Sequence, residues 1–221
     1  NLGNWNDDLS CVNDTVFKLG LTNLFIDGLY IDIANSCGIF YLISCEDNST
    51  IQIDNGHFIN NLGKIGLGTV NLTIVNTVFD GWYNSYGNEG IITIQPGNLY
   101  LYRVVFNNIN YDTTQEDLLP VIIKLDISGS NLLFDRIIIE ECQFINNMIP
   151  LILSTFPFTL VNSHFINNNL TGVRTASYLI LYYPNFLISY QPILIDNCSF
   201  IGNGVETIYY NDMFDINHYS T

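Results

Sequence analysis

The sequence predicts an all-β chain built from stacked repeats, and three observations support this fold class. The 221 residues include 31 Ile and 30 Asn but only two Ala, so a strand former and a turn former dominate. Hydrophobic residues make up 48% of the chain, which is enough for a sizeable core. A short pattern centred on Phe recurs six times, as expected for a solenoid.

Each copy of the repeat runs from seven residues before its Phe to three residues after it. The copies are "IQIDNGHFINN" (Phe58), "LTIVNTVFDGW" (Phe79), "LYLYRVVFNNI" (Phe106), "IIIEECQFINN" (Phe144), "FTLVNSHFINN" (Phe165) and "ILIDNCSFIGN" (Phe200). The consensus is apolar-x-apolar-x-Asn-x-x-Phe-x-Asn-Asn. Successive Phe residues are 21, 27, 38, 21 and 35 positions apart, which indicates a supersecondary unit with insertions in some copies.

The spacing within a copy predicts two short strands joined by a corner. The positions seven and five before the Phe are always Ile, Leu or Phe, and this alternation places both on one face of a strand. The Asn that follows favours a corner. The Phe and the residue two before it are predicted to share the inward face of a second strand; that earlier residue is Gly56, Thr77, Val104, Cys142, Ser163 or Cys198. The trailing Asn-Asn turns the chain again.

Such a unit cannot bury its apolar face alone, but stacking it on its own copies removes that face from water. The pattern resembles the right-handed parallel β-helix of the pectin-lyase-like superfamily over roughly Ile51 to Asn203, with an earlier coil at "LFIDGLYIDI" (Leu24 to Ile33). The resemblance implies Asn ladders inside the corners. We expect a single domain, 1–221, of about 7 to 9 coils. We expect an irregular segment at 1–23, coils at 24–210 and a tail at 211–221. The alternative, a β-sandwich of hairpins, would show two-residue Asn-Gly or Asp-Gly turns more regularly.

Composition excludes several classes of partner. Six basic and 21 acidic residues give a net charge of −15, which repels phosphate backbones and anionic lipid headgroups. The longest uncharged run, Thr175 to Ile195, is interrupted by Pro184 and Pro192, so we expect strands and turns there and no membrane span. The chain starts without Met or a signal-peptide pattern, so we expect a mature product, a fragment or the ordered part of a longer protein.

No set of residues suggests catalysis. Enzymes of the resembling superfamily act mostly on acidic polysaccharides, and they need close carboxylates with basic residues or a Ca²⁺ site with an Arg or Lys base. The six basic residues here are dispersed, and Asp7 and Asp8 read as a solvated pair. The loop "YDTTQEDLL" could hold Ca²⁺ through Asp112, Glu116 and Asp117, but it lacks calcium-loop spacing and reads as a solvated insertion. We therefore expect a non-enzyme without metal or cofactor.

Histidines and two of the cysteines are predicted to be too far apart to act together. His57 and His164 take the same outward place in their copies, but at least four coils, about 19 Å, separate them, which is too far for one zinc. His218 lies in the tail. Cys142 and Cys198 are predicted to be inward and at least two coils, about 10 Å, apart, which excludes a disulfide.

Covalent modification is expected at other positions. Cys11, Cys37 and Cys45 fall in the irregular N-terminal part, and one disulfide among them is predicted if the protein is secreted. N-glycosylation signals stand at Asn13, Asn48, Asn71, Asn169 and Asn197, a number close to that expected by chance. We expect Asn71 to face outward and Asn169 to lie on an insertion, whereas Asn197 is a corner residue for which a ladder competes.

These observations leave three function hypotheses. The first is a structural subunit of an extracellular fibre or surface coat, glycosylated and stacked end to end, because neither end resembles a cap helix and open strand edges invite association. In its alternative, neighbouring segments of a longer chain cover the ends. The second hypothesis is a glycan-binding adhesin that uses tyrosines as stacking platforms, the candidates being Tyr178, Tyr182, Tyr183, Tyr190, Tyr209 and Tyr210. The third and weakest is a polysaccharide lyase or hydrolase.

Overall fold

A computed structural model describes most of the repeat region. The described residues are 14–20, 23–32, 39–45, 49–60, 64–65, 69–81, 83–84, 90–111, 121–125, 136–170, 178–183, 193–204 and 206–210. In these ranges every regular element is a β-strand, and every strand pairing is parallel. The prediction of an all-β fold is therefore confirmed.

The strands form three parallel sheets, here called the first, second and third sheets. The first sheet contains Asp14–Leu19, Ile39–Cys45, Lys64–Ile65, the start of Gly90–Tyr102, Val121–Leu125, Ile152–Ser154, Tyr178–Tyr182 and Glu206–Tyr210. The second sheet contains Asn23–Asp27, Ser49–Asp54, Thr69–Val75, the end of Gly90–Tyr102, Arg136–Glu140, Thr159–Val161 and Leu194–Asp196. The third sheet contains Tyr30–Asp32, His57–Ile59, Val78–Asp80, Val105–Asn107, Gln143–Ile145, His164–Ile166 and Ser199–Ile201. Tyr83–Asn84 and Asn110–Tyr111 form a separate pair.

Along the chain the strands recur in the order first, second, third sheet. Each strand pairs with its counterparts in the neighbouring units, and the long strand Gly90–Tyr102 continues from the first sheet into the second. No sheet closes on itself among the described strands. This arrangement fits a parallel β-helix.

The register of the third sheet confirms the six-copy alignment made from sequence. The six Phe residues are consecutive Cα partners, and Ile31 takes the same place in the earlier unit, as the "LFIDGLYIDI" coil predicted. Their rings stack in a continuous column with centroids 4.6 to 5.1 Å apart. Five of the six rings are fully buried, and only Phe200, in the last described copy, is partly exposed.

Corner residues explain why Asn recurs at two places in each copy. The positions three before and two after the Phe all have positive φ, near 66° for Gly and between 47° and 54° for the others. Asn and Gly adopt this left-handed conformation at least cost. The residues concerned are Gly28, Asn55, Asn60, Asn76, Gly81, Arg103, Asn108, Glu141, Asn146, Asn162, Asn167, Asn197 and Gly202. Except in Asn197 and Gly202, which belong to the last described copy, the backbone N–H of each of these residues donates to a backbone oxygen of the next unit, so the corners also hold the stack together.

The uneven Phe spacing arises at only two of the three connections. Two residues separate the second-sheet strand from the third-sheet strand in every described unit, as between Arg136–Glu140 and Gln143–Ile145. The connections on either side of the first sheet vary, for example from Leu125 to Arg136. Insertions are therefore confined to the two edges of the first sheet.

The structure differs from the sequence-based description in two details. Strand Asp14–Leu19 pairs with Ile39–Cys45 inside the segment 1–23, which was expected to be irregular because it carries no copy of the motif. The residue two before each Phe is buried or half-buried as predicted, but it belongs to the corner, because the third-sheet strand begins one residue later.

Candidate functional site

A ladder of buried asparagines lies inside the later units. Asn147 and Asn168 are fully buried, and Asn203 continues the row. The side-chain oxygen of Asn168 accepts from the backbone N–H of Asn147 at 3.0 Å and from its amide at 2.9 Å, while Asn203 does the same for Asn168 at 2.9 and 3.0 Å. The amides also donate to the backbone oxygens of Phe106, Phe144 and Phe165. This ladder satisfies buried polar groups and is structural.

A second internal row consists of the small residues two before each Phe. Thr77 accepts from the Gly56 N–H at 3.2 Å and donates to the Val75 oxygen at 2.8 Å. Ser163 makes the equivalent bonds to Cys142 and Val161 at 3.1 and 2.9 Å. The hydroxyl groups of Thr77 and Ser163 are thus also used in internal hydrogen bonds.

The predicted cysteine and histidine separations are found in the structure. Cys142 and Cys198 are free thiols with Ser163 in the unit between them. Burial raises the pKa of Cys142 to about 12, so this thiol stays protonated at neutral pH. Four strand pairings separate His57 from His164. Their side chains instead contact neighbours, the Tyr30 ring for His57 and the Ser199 hydroxyl for His164.

Several predicted sites lie outside the described residues. These are Asp7, Asp8, Cys11, Asn13, Cys37, Asn48, Asp112, Glu116, Asp117, Tyr190 and His218, together with the side chains of Cys45, Tyr209 and Tyr210. In the described ranges no three His, Cys, Asp or Glu side chains gather into a metal site. The same ranges contain no helix long and apolar enough to cross a membrane.

Three of the glycosylation candidates are visible, and all three are exposed. Asn71 faces outward on the second sheet, where its side-chain oxygen accepts from the Asn98 amide at 2.8 Å. Asn197 sits at a corner and donates its amide nitrogen to Asn162 at 2.6 Å. A glycan is attached at that same amide nitrogen, so the corner contact competes with glycosylation at Asn197.

The three described tyrosines among the proposed glycan platforms differ in their exposure. Tyr182 is buried beside Phe158 in the core, Tyr178 is half-buried and Tyr183 is exposed. Sequence reasoning missed a different pair, Tyr100 and Tyr102, which lie on the outer face of the second sheet with nearly parallel rings.

Tyr100 and Tyr102 belong to a cluster that spans two neighbouring units. Their hydroxyls donate to Glu140 at 3.2 Å and to Glu141 at 3.4 Å. Arg103 donates to Glu141 at 2.7 Å, and its guanidinium carbon lies 4.7 Å from the centre of the Tyr102 ring. Burial raises the pKa of Tyr100, and the Glu140 carboxylate raises it further. Contacts across 38 to 40 residues leave no local sequence signal.

The ends of the second sheet differ from its middle. In the described part of the chain the end strands, Asn23–Asp27 and Leu194–Asp196, each pair on one side only. Their inward residues, such as Ile26 and Ile195, are half-buried, whereas the equivalent Ile53 is fully buried. Large outward hydrophobic side chains also occur there: Phe25 is 60% exposed and Leu194 is 53% exposed. These ends present both backbone groups and apolar surface.

Comparison with known proteins adds no relative. No family model, no curated protein and no solved structure matches this chain.

Proposed function

We propose that this protein is a structural subunit of an extracellular fibre or surface coat, in which copies stack end to end. On this proposal the strands wind as a right-handed solenoid of seven to nine coils, of the kind seen in the pectin-lyase-like superfamily. The regular parallel pairing and the Phe and Asn ladders support the solenoid. Filament formation and glycosylation are further steps of the same proposal.

The observation that carries the proposal is the state of the second-sheet ends. A strand that pairs on one side leaves a row of N–H and C=O groups, which templates the addition of another strand. The half-buried Ile26 and Ile195 would become buried in a joint, as Ile53 already is. Because the two ends differ, the contact is heterologous, and it generates an open filament when the rotation between subunits does not close into a ring. The first sheet extends by one further strand, Glu206–Tyr210, so the joint is stepped.

Electron microscopy of the purified protein at increasing concentration tests this proposal. We expect fibres with an axial repeat of roughly eight strand spacings of about 4.8 Å each. A protein that remains monomeric at high concentration would overturn it, and would favour neighbouring segments of a longer chain as the cover for both ends.

Matched variants separate a specific joint from general stickiness. Phe25→Lys and Leu194→Lys each place a charge at an exposed hydrophobic position on an end strand, and we expect either to abolish fibres. Met148→Lys makes the same change at a position that is 41% exposed but lies between inner units, and it should leave fibres intact. Equal loss in all three variants would contradict the end-to-end joint.

Glycan mapping tests the extracellular part of the proposal. If the native source is a eukaryote, we expect glycans at Asn71 and Asn169, whose side chains are exposed, and lower occupancy at Asn197. Unmodified peptides at both Asn71 and Asn169 would argue against a secreted glycoprotein.

A further inference from the structure

Two neighbouring corners depart from the rule that holds elsewhere in the described corners. Arg103 and Glu141 occupy left-handed positions, with φ of 54° and 51°, where the other units use Asn or Gly. Neither side chain is suited to this conformation, and such residues persist where surrounding contacts or function hold them. Both belong to the cluster on the outer face of the second sheet. This cluster therefore contains two side chains that the left-handed corner geometry by itself does not favour.

The cluster contains one complete cation site, filled by the chain itself. The Arg103 guanidinium lies over the Tyr102 ring, and its Nε donates to the Glu141 carboxylate at 2.7 Å. An aromatic face combined with a carboxylate is a favourable environment for a guanidinium or ammonium group.

A second pair of Tyr and Glu side chains, Tyr100 and Glu140, lies beside Tyr102 and Glu141. Tyr100 lies two residues before Tyr102, its ring is tilted by only 10° from the Tyr102 ring, and the centroids are 6.1 Å apart. Its hydroxyl meets Glu140, as that of Tyr102 meets Glu141. Tyr100 and Glu140 are both half-buried, so each keeps a solvent-facing part. This second half of the cluster has an aromatic ring and a carboxylate, but among the described residues no basic side chain forms an ion pair with Glu140 or lies over the Tyr100 ring.

We propose that Tyr100 and Glu140 bind one arginine or lysine side chain of a partner protein. The guest takes the position relative to Tyr100 and Glu140 that Arg103 takes relative to Tyr102 and Glu141. Among the described contacts, Arg103 bonds to the Glu141 carboxylate, whereas the Glu140 carboxylate accepts only from the Tyr100 hydroxyl, so the Glu140 carboxylate supplies the negative charge that favours this occupant. The net charge of −15 also attracts a basic partner and repels anionic ligands. The site lies on the side of the solenoid, so it is independent of the proposed end-to-end joint.

Arg136 is the described residue best placed to compete with a guest. It is exposed on the adjacent second-sheet strand, where its Cα partner is Asn98, two residues before Tyr100. A diagonal neighbour of this kind is about 7 to 8 Å away, within reach of a long side chain. The binding test therefore includes Arg136→Ala.

Fluorescence anisotropy with a short labelled peptide tests the proposal on the full chain in its monomeric form. The probe is a glycine-rich peptide containing two arginines, and its matched control has citrulline, an uncharged isostere, in their place. We expect the arginine peptide to bind and the citrulline peptide to bind at least tenfold more weakly. Equal binding of the two peptides would overturn the proposal, because recognition would then not depend on the positive charge of the arginine.

Variants locate the binding. Glu140→Gln should weaken binding of the arginine peptide about three- to tenfold. Asp27→Asn changes the net charge by the same amount, on the end strand Asn23–Asp27 of the second sheet, and should change binding less than twofold. Tyr100→Leu should weaken binding to a similar extent, and Tyr100→Phe should retain it because the ring remains.

Three results would refute the site. Equal effects of Glu140→Gln and Asp27→Asn would indicate diffuse attraction to an acidic surface. Wild-type binding by Tyr100→Leu, checked for native strand content by circular dichroism, would exclude the ring. Binding that appears only in Arg136→Ala would mean that the chain fills the site itself.

Discussion

Replacing Asn168 with Ala tests whether the buried asparagine ladder stabilises the solenoid. In the structure the Asn168 oxygen is the acceptor for two donors of Asn147, its backbone N–H and one of its amide hydrogens. Ala removes that acceptor in a fully buried place, so both donors lose their partners. An unsatisfied buried group costs about 1 to 3 kcal/mol, so we expect a loss of about 2 to 6 kcal/mol in the free energy of unfolding.

The neighbouring Asn167 is a control of the same residue type. It is exposed, has φ of 53° and occupies a corner position that Gly fills in two other copies. Asn167→Gly keeps the backbone bond to Ile201 and introduces no strain, so we expect a change within about 1 kcal/mol. Urea unfolding followed by circular dichroism measures both variants. A loss below about 1 kcal/mol for Asn168→Ala, or an equal loss for Asn167→Gly, would refute the view that this ladder is a principal source of stability.

Three further predictions concern a backbone contact and the chemistry of the Cys142 thiol. A β-carbon on Gly97 would overlap the backbone oxygen of Val70, so Gly97→Ala should lower the free energy of unfolding by about 1 to 3 kcal/mol. Gly28 has φ of 66° at an open corner, so Gly28→Asn should be tolerated. Thermal unfolding of the two variants measures the difference. Cys142 should resist alkylation at pH 8 in the folded protein and react after unfolding, while the partly exposed Cys198 should react faster; rapid native labelling of Cys142 would contradict its burial. Because the Cys142 pKa is raised from 9.0 to about 12, the folded state prefers the neutral thiol, and this thiol's contribution to stability should be lost as pH rises through that interval.

Local chemistry made the repeat legible in the sequence. Alternation around Ile51 and Ile53 identifies a strand, Asn55 identifies a left-handed corner, and Phe58 identifies the inward position that follows. These preferences act within a few residues, so they survive insertions of any length between copies. The same reasoning correctly separated His57 from His164, because that separation depends only on counting copies.

The first sheet was less accessible to sequence reasoning. Its strands carry no motif, and a segment such as Val121–Leu125 reads as a nearly continuous hydrophobic run that periodicity cannot distinguish from other buried structure. Strand Asp14–Leu19 was missed for the same reason, since only its pairing with Ile39–Cys45 identifies it. The six-copy motif thus specified two of the three sheets.

By itself the sequence determined the all-β class, the six Phe positions and the Asn corners, because each follows from the preferences of residues that are close together in the chain. Only the tertiary structure decided which distant residues meet. Asn168 is 35 residues from Asn203, and Tyr100 is 40 residues from Glu140, yet each pair forms a hydrogen bond between neighbouring units. These contacts require the insertions to lie in the connections on either side of the first sheet, so that the second and third sheets keep their register. The conformational preferences of neighbouring residues do not specify that arrangement.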